Sequence, residues 1–229
     1  MWCHYIGLFV SVYRFVEAEF FDDVFDDIIR HTYYVRKEGG MSKAKLAVYG
    51  GAFNPPHAGH AQVMAALLPQ AKQVLVVPSF CHPFGKQMVD FDLRVQWLEK
   101  IVGVFNEPRL VVDDCERELF RRKSPIFSID LLRFIADRFG LDKKDVALVM
   151  GEDNLKVLHT FHGYQAILDE FSVVTMPETI NVHSTMIRDA LKAGGDIPSS
   201  WRAPGLRMTD YRVFADTGRM SSDQSLKSA

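Results

Sequence analysis

The sequence predicts an α/β fold, a doubly wound parallel sheet of about five strands forming a single domain. Three observations carry that prediction. After Gly40, short apolar runs alternate with stretches of helical period, the pattern of successive βαβ units. The first of these runs ends in Gly50-Gly51 and passes through a proline turn into a helix, as at the ligand-bearing strand ends of such sheets. At 229 residues, 48% hydrophobic and 12% aromatic, the chain can bury one core of ordinary size.

The elements follow in order. Strands are expected at Leu46–Tyr49, Gln73–Val77, Arg109–Val112, Val146–Met150 and Phe171–Thr175. Helices are expected at Gly59–Leu68, Phe91–Phe105, Ser128–Phe139, Tyr164–Leu168 and Thr185–Ala193. Helical crossovers between parallel strands make the sheet Rossmann-like, so residues at strand ends are read first for function. No internal repeat is evident. The stretch from Ala215 to Ala229 is rich in Ser and Asp and reads as a disordered tail, which bounds a domain over residues 41–214.

Residues 1–40 differ in composition and form a helical N-terminal extension. Ten aromatics crowd there, with four basic residues against seven acidic ones. Val12, Val16, Phe20, Val24 and Ile28 make an i, i+4 ridge, with Asp22, Asp23, Asp26 and Asp27 on the wet side. The apolar run Tyr5 to Tyr13 falls short of the ~20 residues that span a bilayer. It also lacks a basic start and a cleavage site, so a signal peptide is not expected. The extension reads as a start upstream of the native one near Met41, or as a docking helix for a partner or second subunit.

The net charge of −2, from 27 basic and 29 acidic residues, offers no positive field for nucleic acid or an anionic membrane. Neither partner is expected. Cys3, Cys81 and Cys115 lack metal-ligand spacing and fit reduced thiols, so a cytoplasmic protein without a structural metal is anticipated.

The chemistry concentrates in Leu46 to His60, LAVYGGAFNPPHAGH. Gly50 and Gly51 allow close approach of a ligand, Pro55 and Pro56 stiffen the turn, and helix N–H groups near Gly59 sit beside His57 and His60. Such a turn suits a polyphosphate. The pattern GGxFNPPHxGH resembles the signature of the HxGH nucleotidyltransferases, in particular the bacterial nicotinate (or nicotinamide) mononucleotide adenylyltransferases.

Further motifs extend the resemblance over Lys43 to Gly195. Gly151-Glu152-Asp153 resembles the family's GxD element, whose aspartate lies near the ATP region. His183-Ser184-Thr185-Met186-Ile187-Arg188 resembles its SSTxIR element, with His183 in place of the first serine. Ser184 or Thr185 is expected to cap that helix, with Gly194-Gly195 ending it. The loop Val77 to Lys86 ends in a basic residue, as the family's substrate loop does, although the usual proline-histidine-basic ending is missing. Asp114 to Ser128 resembles the run that helps form the mononucleotide pocket, and Ser128 also suits a helix cap. Phe161-His162 stands where the family has an aromatic pair. Arg94 reads as a surface or packing residue.

The resemblance implies that His57, His60 and Arg188 are catalytic. It places ATP on Gly50, Gly51, Ala52, Phe53, Gly59, Gly151, Asp153, Ser184 and Thr185, and the mononucleotide on Lys86, Ser128, Phe161 and His162. It implies Mg²⁺ on the ATP phosphates, a pyridine mononucleotide as the second substrate, and nicotinate adenine dinucleotide and pyrophosphate as products of a step in NAD biosynthesis. No Walker motif is present, which argues against a P-loop enzyme. The alternatives are another HxGH transferase, such as phosphopantetheine adenylyltransferase, and a non-catalytic nucleotide-binding regulator.

Overall fold

The computed structural model describes residues 44–215. The expected N-terminal helix and the tail beyond Ala215 lie outside the described residues. Five parallel strands form one sheet: β1 (Ala44–Gly51), β2 (Ala71–Pro78), β3 (Leu110–Val112), β4 (Val146–Gly151) and β5 (Ser172–Met176). Their order is β3-β2-β1-β4-β5. All five stand where the apolar runs place them. Buried on both faces, the inner strands read as unbroken apolar stretches such as Val74–Val77.

The longer helices are α1 (Ala58–Leu67), α2 (Phe91–Phe105), α4 (Ser128–Phe139) and α7 (Ser184–Lys192). Between and after them come α3 (Glu116–Arg122), α5 (Glu152–Lys156), α6 (Tyr164–Glu170) and α8 (Met208–Tyr211). The short α3, α5 and α8 are not among the expected helices, because one or two turns carry too little periodicity to read. Period 2 in the strands sorts the helices onto two faces. Leu46, Val48, Leu75, Val77 and Leu148 join Leu132 and Ile135 of α4 and Ile167 of α6 in one core. The intervening Ala47, Val74 and Val76 are equally buried, on the face where α1 and α2 pack against β2. Each fully buried Leu or Ile contributes about 1.5–3 kcal/mol.

Termini of the helices are set by local chemistry. Asp90 Oδ1 accepts from Leu93 N at 3.1 Å to start α2. Gly140, at φ 60°, ends α4 in the left-handed conformation that glycine tolerates. Two expected caps are corrected. Ser128 does not cap α4: the capping position is Phe127, whose N–H donates to Asp130 Oδ2 at 3.1 Å. Neither Ser184 nor Thr185 caps α7: His183 holds that position, and the Ser184 hydroxyl is spent elsewhere. In both places the serine is already the first helical residue, one position past the cap. Gly194 and Gly195 do end α7, with Gly194 at φ 80° and Gly195 N donating to Ala190 O.

The strand order positions the site. From β1 the chain winds outward through β2 to β3, then crosses to the other side of β1 for β4 and β5. The reversal lies between β1 and β4, where diverging connections open a crevice beyond the carboxyl ends. Gly51 pairs with Pro78 and Gly151 with Met176, so the ends of β2, β1, β4 and β5 reach that edge in register. Among the described residues, no helix is long and apolar enough to cross a membrane.

Candidate active site

A cleft of about 370 Å³ opens at this reversal. One wall is Tyr49, Gly50, Gly51 and Phe53 from β1 and its turn, with His57, Gly59 and His60 at the start of α1. The opposite wall is Gly151, Glu152 and Asp153 after β4. The segment Met176–Ile180 after β5, with Val182 and His183, closes the side.

The turn from β1 to α1 is tightly packed. Phe53, 1% exposed, sits at φ 45°, a strained backbone for an aromatic residue and of the kind that clusters at functional sites. A Cβ on Gly51 would stand 3.2 Å from the Phe53 ring, so this glycine makes room for Phe53 as well as for a ligand. At Gly59 a Cβ would stand 3.2 Å from the His57 ring, which explains the glycine between the histidines: the imidazole lies over the first turn of α1.

The two imidazoles lie 3.7 Å apart between centroids, tilted by 35°, and Phe53 meets His60 edge-on at 5.0 Å. His60 Nδ1 accepts from His57 N at 3.0 Å. In the neutral ring the proton then resides on Nε2, which is a donor. His57 is 8% exposed, and its Nδ1 is buried without a hydrogen-bond partner. Burial, aided by the nearby His183, pushes His57 down to about 4. Burial, then the charge of His57, holds His60 well below its ordinary value. Both rings are neutral at pH 7, each with one N–H to offer.

Asp153 lies on the cleft wall and pairs with Lys156 at 2.8 Å, which holds its carboxyl below the usual range. Of the SSTxIR-like residues, His183 lines the cleft, whereas Ser184, Thr185 and Arg188 do not. Arg188 donates from Nη1 to Asn54 O at 2.6 Å and from Nη2 to Thr185 Oγ1 at 2.9 Å, while Ser184 Oγ donates to Pro55 O at 2.8 Å. They brace the proline turn from behind. Tyr211 adds to the brace by donating its hydroxyl proton to Pro56 O at 3.2 Å.

The sequence-singled residues therefore divide. Gly50, Gly51, Phe53, His57, Gly59, His60, Gly151 and Asp153 converge on the cleft, whereas Ala52 turns its carbonyl to Arg94. Lys86 is exposed in the loop after β2, Ser128 opens α4, Phe161 packs against the core, and His162 stacks on Phe127 at 4.2 Å. None of these four lines the cleft. Arg94 is no surface residue: it is 1% exposed. Glu178, which the sequence did not single out, lies 3.4 Å from His183 on the cleft wall, and His183, expected only as a replacement for a serine, joins the site. The signal for Glu178 was the register of β5, which ends level with Gly151. Among the described residues, no three His, Cys, Asp or Glu side chains form a metal cage.

The family model described as cytidylyltransferase-like matches residues 48–190, a span that holds the glycine turn, both histidines, Asp153 and Arg188. The chain belongs to the cytidylyltransferase-like family. Among its relatives in this family, a probable nicotinate-nucleotide adenylyltransferase from Nitratiruptor sp. is 32% identical over 136 residues, 57% of this chain and 73% of the relative. A probable enzyme of the same name from Campylobacter jejuni is 28% identical over 164 residues, 64% of this chain and 87% of the relative. The cytidylyltransferase-like fold is shared with a Vibrio parahaemolyticus protein provisionally described as a nicotinate-nucleotide adenylyltransferase. That structure aligns at a TM-score of 0.60 and 27% identity, covering 76% of this chain and 99% of the other. A Plasmodium falciparum nicotinic acid mononucleotide adenylyltransferase, complexed with NaAD, matches at a TM-score of 0.56 and 16% identity, a likeness of fold. It covers 75% of this chain and 95% of its own.

Proposed function

We propose that this chain joins ATP to nicotinate mononucleotide, forming nicotinate adenine dinucleotide and pyrophosphate. The observation that carries the reading is the close, tilted pair of imidazoles at the sheet reversal, one with a buried, unpartnered nitrogen and the other with its Nδ1 held as an acceptor so that Nε2 carries the proton. A phosphate oxygen in the cleft accepts from His60 Nε2. A phosphate oxygen of the mononucleotide attacks the α-phosphorus of ATP; that P–O bond forms as the bond to the bridging α–β oxygen breaks, and pyrophosphate leaves with the electron pair.

The protein's part is positioning and electrostatic stabilisation. His57 and His60 donate to phosphate oxygens, and the incoming negative charge raises their proton affinity as charge builds on the leaving group. The N–H groups opening α1 add to the same field. Arg188 supplies positive charge beside the turn and holds its shape. Asp153 accepts from ribose hydroxyls at the other wall. Mg²⁺ bound to the triphosphate would neutralise phosphate charge there, and Glu152, Asp153 and Glu178 are the carboxylates on the cleft wall that would hold it or its waters. Lys86, Ser128, Phe161 and His162 serve the mononucleotide side, and residues 1–40 are a separate extension that the transfer does not need.

Pyrophosphate release decides the reading. The protein is incubated with ATP and Mg²⁺ and, in parallel, nicotinate mononucleotide, nicotinamide mononucleotide or phosphopantetheine, with CTP replacing ATP in a further arm. Turnover fastest with ATP and nicotinate mononucleotide is expected. Turnover with phosphopantetheine alone reassigns the acceptor, turnover with CTP alone reassigns the donor, and none in any arm leaves a nucleotide-binding regulator.

A further inference from the structure

Two buried charges have no part in the transfer described so far. Arg94, in α2, is 1% exposed, and Glu116, which opens α3, is 6% exposed. A guanidinium taken out of water is costly unless its donors find partners. Those of Arg94 reach three separate segments. Nη1 donates to Ala52 O at 2.9 Å and to Ser79 O at 2.8 Å, and Nε donates to Val89 O at 3.1 Å. Ser79 and Val89 are the two ends of the loop leaving β2, and Ala52 is the first residue beyond β1.

Neighbouring groups reinforce the same closure. Glu116 Oε2 accepts from Phe80 N at 2.7 Å, next to the carbonyl that Arg94 holds. Phe80 packs against Phe91 at 4.9 Å and Phe120 at 5.0 Å. Asn54 Oδ1 accepts from Val89 N at 3.1 Å, while its carbonyl takes the Arg188 bond. The chain of contacts thus runs unbroken from Arg188 through Asn54 and Val89 to Arg94, Ser79 and Glu116.

We infer that Arg94 is a positioning residue for the transfer: it closes the Ser79–Val89 loop at its base and fixes it to the phosphate turn. The inference rests on the proposed function, in which Lys86 of that loop serves the mononucleotide. Its logic is geometric. A planar fork spans carbonyls on three segments at once, which a lysine ammonium on its flexible stem cannot reproduce. Burial pushes Glu116 up to about 7, opposed by the Phe80 N–H and by the positive charge of Arg94. Losing the tie lets the attacking phosphate drift from the line of attack, and a displacement of ~1 Å costs on the order of 100-fold in rate.

Steady-state kinetics on the full chain test this, with thermal melts alongside. Absence of turnover in the wild type with any mononucleotide removes the functional reading and this inference together. Given turnover, Arg94→Lys is expected to raise KM for nicotinate mononucleotide and lower kcat, each by at least ~10-fold, part of that ceiling, with KM for ATP within about threefold. Glu116→Gln keeps an acceptor for Phe80 N–H but removes the charge, and moves the mononucleotide KM the same way by about threefold, a few tenths to one kcal/mol as for a hydrogen bond weakened by lost charge. A tie that only supports folding lowers the melting temperature without separating the two KM values, and that result overturns the inference. Should Arg94→Lys not fold, an unchanged mononucleotide KM in Glu116→Gln overturns it equally.

Discussion

Tyr211→Phe removes one oxygen from the middle of the protein, and the structure sets the cost. Tyr211 is 0% exposed; its hydroxyl accepts from Ala203 N at 2.8 Å and donates to Pro56 O at 3.2 Å. Burial pushes the phenol well above its ordinary value, so it stays a donor at every working pH. Phenylalanine fills the same space, so no large cavity forms, but the N–H of the buried Ala203 loses that acceptor and the Pro56 carbonyl loses a donor. An unsatisfied buried donor costs about 1–3 kcal/mol, and the weaker carbonyl bond adds under 1, for a total of about 2 kcal/mol. At this chain length that corresponds to roughly 4–8 °C in melting temperature. Thermal unfolding followed by circular dichroism at pH 7.5 reads it, with Val213→Ala on the exposed side of the same segment as a control expected within about 0.5 kcal/mol. A Tyr211→Phe protein melting within ~1 °C of the wild type refutes the claim that this hydroxyl pins the proline turn.

Four further outcomes follow from the site. His60→Ala lowers kcat by ~100-fold, the scale of one preorganised donor, and near-normal pyrophosphate release takes His60 out of the mechanism. Gly59→Ala splits activity from stability: the added methyl crowds the His57 ring and lowers kcat about 10-fold through misplacement, while helix propensity leaves the melting temperature unchanged or higher. With His57 at about 4 in the folded protein and 6.5 unfolded, the unfolded chain binds more protons between those values. Stability is therefore full above pH 6.5 and falls as pH drops toward 4, by on the order of 3 kcal/mol from this group; a His57→Asn variant with the same acid limb as wild type counts against it. Deleting residues 1–40 leaves turnover within about twofold, a change under ~0.4 kcal/mol, and a larger loss assigns the extension a part in the transfer.

Much of this was legible because its causes are local. Apolar runs bounded by glycine and proline located every strand, and His57-Ala58-Gly59-His60 declared a helix start with two imidazoles. What escaped depends on partners far along the chain. Ser184 favours a cap by its own chemistry, yet its hydroxyl bonds Pro55, 129 positions away, and Arg188 bonds Asn54, 134 positions away. Arg94 carries a charge and so reads as a surface or packing residue; the convergence of three loop carbonyls explains its burial. Glu178 became visible once the strand register aligned the end of β5 with the end of β4.

The closed base of the Ser79–Val89 loop has a consequence for how such a protein can be altered. Its two ends are held through main-chain carbonyls, which any sequence supplies, by a side chain that belongs to α2 and not to the loop. Beyond Phe80, whose ring packs on Phe91 and Phe120, the stretch is therefore a cassette: its side chains can be exchanged without disturbing the clamp or the histidines. A chimera carrying a foreign segment between those anchors keeps its adenylyl-transfer half and changes which phosphate comes to attack.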